Sequence, residues 1–360
     1  MSRTRSPAAE TPVERDRPLA PWLREQAVAL LQQRGHAWLL QGPTGLGQYD
    51  LGLALVQAWL CDHPQEDGIA CGACESCHAI SVRTHPDLQV LMPETGMMEH
   101  AWPLDEKTQK ELDDKKRKPS KDIRVEAMRD AIEFAQRTSS RARGKAVLIY
   151  PAERMNHVTA NALLKTLEEP VGNVRFVLAA EAAHLLLPTI RSRCMTHTLH
   201  WPQADEARTW LQELGLSEED ARVLLRAAGG RAEDASDLAR AGLHAADWRK
   251  LPQAAYQSQV QAFSAFAPAQ AIDVLQKICH DALAVKAGAT PRFFGSEDFP
   301  PAERLAGWRA ISQWGKRLAQ DRRSAEHPYN PGLFLEDLVA QAGRALVAPA
   351  TRPAPRVPAR

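Results

Sequence analysis

The sequence predicts an α/β fold, a P-loop-type parallel sheet with helices on both faces, followed by an all-helical second half. Three observations carry that reading. Short apolar runs alternate with stretches of helical periodicity up to Trp201, the pattern of parallel strands joined by crossover helices. The run at 37–40 leads directly into Gly42-Pro43-Thr44-Gly45-Leu46-Gly47 and then into a periodic segment at 51–60, a strand–loop–helix unit. After Trp201 the strand signals stop and Ala, Leu, Glu and Arg dominate.

Taken in order, residues 1–18 are rich in Arg, Pro and Glu and read as a flexible arm, without the apolar stretch of a secretory signal. Trp22, Leu23, Ala27, Leu30 and Leu31 fall at helical spacing. Strands are predicted at 37–40, 146–149 and 175–179, and helices at 51–60, 125–136 and 155–167, the last stopped by Pro170. The α/β domain therefore covers 19–202. Two interruptions break it: a cysteine module at 61–77, and a charged insert at 105–122. The insert carries Asp113-Asp114-Lys115-Lys116-Arg117-Lys118 and reads as an exposed loop of mixed charge. Beyond it lie a small helical domain at 203–246, broken at Gly229-Gly230, and a larger one at 247–347, interrupted around 290–301. Residues 348–360 form a Pro- and Arg-rich tail.

Composition bounds the function. Of 360 residues, 44% are hydrophobic and 25% charged, which excludes a wholly disordered chain or a membrane bundle. Lys plus Arg (45) nearly cancels Asp plus Glu (44), so no broadly basic surface is available to coat DNA. No apolar run approaches the ~18 residues that span a bilayer. The expectation is a cytoplasmic protein with no membrane contact, whose clustered thiols bind metal rather than form disulfides.

The glycine-rich loop has the frame of a phosphate loop, in which backbone N–H groups close around phosphates, a Lys reaches them and a hydroxyl holds Mg²⁺. Gly42, Gly45 and Gly47 keep the frame, but Gln48 and Tyr49 stand where the Lys and the Ser or Thr belong. The strand at 147–149 ends in Tyr150-Pro151, so the acidic residue that would hold Mg²⁺ through water is missing too, and Glu153 lies too far on to replace it. ATP hydrolysis by this chain is not expected. Cys71-x2-Cys74-x2-Cys77, with Cys61 ten positions upstream, has the spacing of a structural four-thiolate Zn²⁺ site. A ferredoxin-type cluster would need Cys-Pro where Ser81-Val82 stand. His63 and His78 are the alternatives to Cys61 as fourth ligand. Cys194 and Cys279 stand alone and read as small buried hydrophobes.

These residues, together with Pro151 to Asn156, Asn161 to Pro170 and Leu187 to Cys194, appear in the order and spacing of a known family. Over about residues 20–200 the chain resembles the delta-prime family of bacterial DNA polymerase III clamp-loader subunits, in the AAA+ superfamily. The resemblance implies an AAA+ core with a zinc module, then a helical lid and a helical collar domain. It implies that Arg193, within Ser192-Arg193-Cys194, is an arginine finger acting in trans on a neighbour's ATP site, an effect worth roughly 10³–10⁵ in rate. The implied partners are gamma/tau-type ATPase subunits and the delta subunit, with the sliding clamp and primed DNA met through the assembled complex. The 105–122 insert and Ala179-Ala180-Glu181, where active relatives carry a polar sensor, depart from the pattern. Two other readings make different predictions. An ATP-hydrolysing gamma/tau-type subunit calls for Lys and Ser or Thr at 48 and 49 and an acid at 150. A zinc-dependent DNA-binding module would use the cysteines and 115–118 as its contact face and bind DNA with a steep salt dependence.

Overall fold

The computed structural model describes residues 18–324 and 330–348; apart from Pro18 and Ala348, the predicted arm and tail lie outside these. The chain forms two compact units, one ending at Trp201 and the other starting at Pro202. Each is taken by itself.

The first unit is a five-stranded, all-parallel sheet in the order β2-β3-β4-β1-β5. Its strands are β1 (Ala37–Gln41), β2 (Leu88–Leu91), β3 (Lys145–Ile149), β4 (Val174–Ala180) and β5 (Met195–Thr198). Its helices are α1 (Pro21–Leu31), α2 (Gln48–Leu60), α3 (Glu75–Ser81), α4 (Glu94–Glu99), α5 (Glu106–Asp113), α6 (Val125–Gln136), α7 (His157–Glu168) and α8 (Pro188–Arg191). Alternate residues of the central strands face opposite layers. Ala37, Leu39, Val147, Ile149, Phe176 and Leu178 bury against Met128 and Ala131 of α6 and Leu163 and Leu167 of α7. On the other face α2 comes in close at Gly52: a Cβ there would meet Leu148 at 2.8 Å and Val177 at 3.3 Å, so only glycine admits the helix this near the sheet. Helices on both faces are therefore present as predicted.

Three features differ from the sequence reading. Leu88–Leu91 and Met195–Thr198 are strands at the two edges of the sheet. β2 is four residues long between Pro86 and Pro93, and β5 is mostly polar and exposed, so neither shows the long apolar run that marks a buried strand. The charged insert is not simply a loop. Asp105 accepts the Thr108 N–H at 2.9 Å and caps α5. Arg117 then closes the insert, its Nε on Glu111 at 2.8 Å and its Nη2 on Glu94 at 2.9 Å.

The second unit, over its described residues, is helical: α9 (Ala204–Glu213), α10 (Glu218–Ala227), α11 (Ala232–Arg240), α12 (Ala245–Tyr256), α13 (Pro268–Lys286), α14 (Trp308–Ser324) and α15 (Pro331–Leu346). One apolar cluster runs from Val223 and Ala227 through Trp248, Ile278 and Trp314 to Leu338 and Leu346. The non-helical interruption near 290–301 is held from below by Asp281. This fully buried carboxylate accepts the N–H groups of Arg292, Phe293 and Phe294 at 2.8, 2.6 and 2.9 Å. Phe294 thereby stacks flat on Trp248, ring centroids 4.7 Å apart. Among the described residues no helix is long and apolar enough to cross a membrane.

Candidate functional site

The Gly42–Gly47 loop joins β1 to α2 as predicted, and its glycines are needed. Gly45 and Gly47 have φ of 79° and 85°, a region other residues adopt only with strain. What fills the loop is its own sequence. Gln48 is buried, and its Nε2 donates to the carbonyls of Gly42 and Pro43 at 2.7 and 2.8 Å. Tyr49 is also buried. Its hydroxyl accepts from Trp102 Nε1 at 2.7 Å, and its ring lies 4.2 Å from His100 and 5.5 Å from Tyr150, centroid to centroid. Positions 49 and 150 do come together, as they would in a hydrolysing site, but as an aromatic cluster instead of a hydroxyl and a carboxylate around Mg²⁺.

The electrostatics follow from burial. His100 is held below its ordinary value by desolvation, so its imidazole is neutral near pH 7. Burial, helped by the neighbouring Glu181 carboxylate, keeps the Tyr150 phenol protonated, and its hydroxyl donates to Glu181 at 2.8 Å. Glu153 is no stand-in for the missing acid: its carboxylate accepts the N–H groups of Glu181 and Ala182, each at 3.1 Å, and burial raises its pKa. It pins the end of β4.

Cys61, at the end of α2, and Cys71, Cys74 and Cys77, around the start of α3, converge. Their sulfurs lie within 4.8 Å of one another, with Cys61 3.6 Å from both Cys71 and Cys77. Four thiolates around Zn²⁺ at ~2.3 Å stand about 3.8 Å apart, so the set can hold such an ion. The N–H groups of Cys71, Cys74 and Cys77 point at the sulfurs of Cys61, Cys71 and Cys74 at 3.3, 3.3 and 3.4 Å. N–H donors at Ala73 and Cys74 pull the Cys71 thiol down to about 6, whereas burial raises Cys61 and Cys77. A dication held there would compensate the buried pair. Around the set, Asp62 accepts from the Ser76 hydroxyl at 2.9 Å and steadies the first turn of α3. His63 and His78 do not join the cluster.

Arg193 follows α8 and stays accessible, its side chain 31% exposed. Its Nε donates to Glu168 Oε1 at 2.6 Å, its Nη2 bonds the same oxygen, and its Nη1 donates to the Thr189 carbonyl at 2.8 Å. The Ser192 hydroxyl donates to Thr189 O at 3.1 Å and serves the backbone. Cys194 packs against the α6–α7 side of the core, and burial pushes its thiol up to about 12, so it is unreactive. Sequence reasoning missed His100, Trp102 and Glu168: each matters only through a partner far away in the chain.

A glycine-rich loop between the first strand of a five-stranded parallel sheet and the following helix defines a P-loop-type α/β domain. The fold is shared with the crystal structure of a DNA polymerase III gamma subunit-related protein from Thermotoga maritima, at a TM-score of 0.50 and 16% identity over 90% of this chain and 99% of that one. Residues 25–203 match the family described as DNA polymerase III, delta subunit. Among curated relatives, the delta' subunits of Pseudomonas aeruginosa and Escherichia coli are 37% identical over 192 residues and 35% over 216, covering 53% and 58% of this chain. The Escherichia coli tau subunit is 30% identical over 229 residues, 61% of this chain and 31% of tau. Over this domain the chain is similar to the delta' subunits of DNA polymerase III. The chain spans about half the length of the delta' relatives it matches, 51% and 58% in these two.

Proposed function

We propose that this chain is a non-hydrolysing subunit of a DNA polymerase III clamp loader that lends Arg193 in trans to a neighbouring gamma/tau-type ATPase. One observation carries the reading: in a domain similar to this family, the chain's own phosphate loop is filled by Gln48 and walled by Tyr49 and Tyr150, while Arg193 remains partly exposed. A guanidinium placed at a neighbour's γ-phosphate neutralises charge that builds on the transferred phosphoryl group. Turnover there favours release of the sliding clamp on primed DNA, with the delta subunit completing the ring. In this reading the segments 203–246 and 247–347 act as lid and collar, and the protein works in the cytoplasm. Cys61, Cys71, Cys74 and Cys77 hold a structural Zn²⁺, which when bound supplies only a cross-link between the end of α2 and the start of α3.

The gamma/tau-type alternative lacks support at positions 48, 49 and 150. The DNA-binding alternative loses its central cation, because Arg117 is engaged by Glu94 and Glu111. The test is the DNA- and clamp-stimulated ATPase of a reconstituted loader carrying Arg193→Ala. Normal assembly with turnover at the neighbouring site reduced on the order of 10³-fold is the expected result. Unchanged turnover in an intact ring would reduce the subunit to a scaffold.

A further inference from the structure

Arg193 does not hang free. A guanidinium has five N–H donors in one plane. In Arg193 the donors on Nε and Nη2 that face one side both meet Glu168 Oε1, and one Nη1 donor meets the Thr189 carbonyl at 2.8 Å. Nη1 also bonds Ser192 Oγ weakly, at 3.5 Å. Among the described residues one Nη2 donor is without a partner and Nη1 is held beyond Thr189 only by that long bond, so the outer fork, the edge that grips two oxygens of a carboxylate or phosphate together, is the loosely held one. Glu168 is the last residue of α7, and Thr189 lies on α8, so two separate helices clamp one plane.

We propose that Glu168 is the positioning residue for the finger: it takes up the inner fork of Arg193 so that the outer fork faces the phosphoryl group of the neighbouring site. This rests on the proposed in-trans role of Arg193. The energetic case is one of pre-organisation. A long side chain loses rotamer freedom on being fixed. The Glu168 contact and the Thr189 carbonyl meet that cost in the free subunit, before any nucleotide arrives. An exposed Arg–Glu pair contributes little to stability. Its loss would be felt in turnover and not in folding.

Two measurements separate this proposal from the reading beneath it. In the isolated full chain, NMR of the Arg193 Nε–H reports orientation directly. It should exchange slowly in the wild type and fast in Glu168→Ala, with Glu168→Gln between; equal exchange in all three overturns the positioning claim regardless of activity. In the reconstituted loader, Glu168→Ala should lower kcat about 5–10-fold with KM for ATP unchanged, and Glu168→Asp should restore part of the loss. In an Arg193→Ala background the same substitution should change turnover by less than about 1.5-fold, because a residue acting through Arg193 has nothing left to act on. An equal loss in both backgrounds would make Glu168 a structural residue of α7 and overturn the proposal. If Arg193→Ala is itself silent, the in-trans reading fails and the catalytic role of Glu168 fails with it, while the NMR result still stands on its own.

Discussion

The phosphate loop and the Arg193 corner belong to one kind of site, yet they face opposite ways. At the loop the three residues that stand in for the Lys, the hydroxyl and the acid of a hydrolysing site are turned inward: Gln48 onto the loop carbonyls, Tyr49 onto Trp102, Tyr150 onto Glu181. At Arg193 the guanidinium is anchored to Glu168 and Thr189, and its outer edge is engaged only by a long bond to Ser192 at 3.5 Å. In the proposed reading the receiving half of the chemistry is sealed and the giving half is kept. Burial makes the difference: Gln48 and Tyr49 are 2% and 6% exposed, against 31% for the Arg193 side chain.

The strongest way to break this contrast is Arg193→Ala, for which the expected loss at the neighbouring site, on the order of 10³-fold, corresponds to about 4 kcal/mol. Next comes the cysteine set, a third arrangement in which chemistry is buried but complete. Chelating its metal should cost on the order of several kcal/mol and abolish hydrogen-exchange protection in α3, as read by exchange mass spectrometry and melting. Retained protection after chelation would show that the thiols pack without an ion.

Reopening the loop tests the sealed side. Gln48→Lys with Tyr49→Thr restores the residue types of a hydrolysing loop, but Tyr150 still stands in place of the acid. Hydrolysis by the isolated chain should stay at background. The protein should lose about 3 kcal/mol, from the cavity left by the ring and the orphaned Trp102 N–H. Measurable turnover would show that Tyr150 is no barrier.

The smallest effect is expected at the insert. Burial disfavours the Glu94 carboxylate, but hydrogen bonds from Arg117 and Ser120 and the charge of Arg124 outweigh it and hold its pKa below the usual range. The folded insert therefore gains stability above the unfolded carboxylate value and loses it as pH falls through the depressed one. Protection against exchange across 94–122, corrected for the intrinsic pH dependence of amide exchange, should fall below about pH 4 in the wild type. In Glu94→Gln it should already be low at pH 7, at a cost of about 2 kcal/mol, and flat with pH. A pH-independent wild type would remove Glu94 from the account.

How much of this was legible beforehand depended on whether a signal was local. The strand–loop–helix unit, the central strands and the four cysteines could be read because period, glycine spacing and thiol spacing are properties of neighbouring residues. β5 was not legible: Met195-Thr196-His197-Thr198 becomes a strand only because β1 offers it an edge. α5 was hidden by its charge. Its helical character comes from the Asp105 cap and from the Arg117 bonds to Glu111 and Glu94, the latter 23 residues away. Gln48 and Tyr49 were readable as losses. That they fill the gap they leave required the position of Trp102, 53 residues downstream of Tyr49.

Gln48 has a consequence for timing. Its amide satisfies the Gly42 and Pro43 carbonyls from within the chain. A loop that brings its own hydrogen-bond donor has no state to lose when nucleotide departs. In the proposed loader such a subunit would present the same face to its neighbours whether the cell is rich in ATP or drained of it. The clock of that assembly would belong to its partners, with this chain as the fixed mark against which they move.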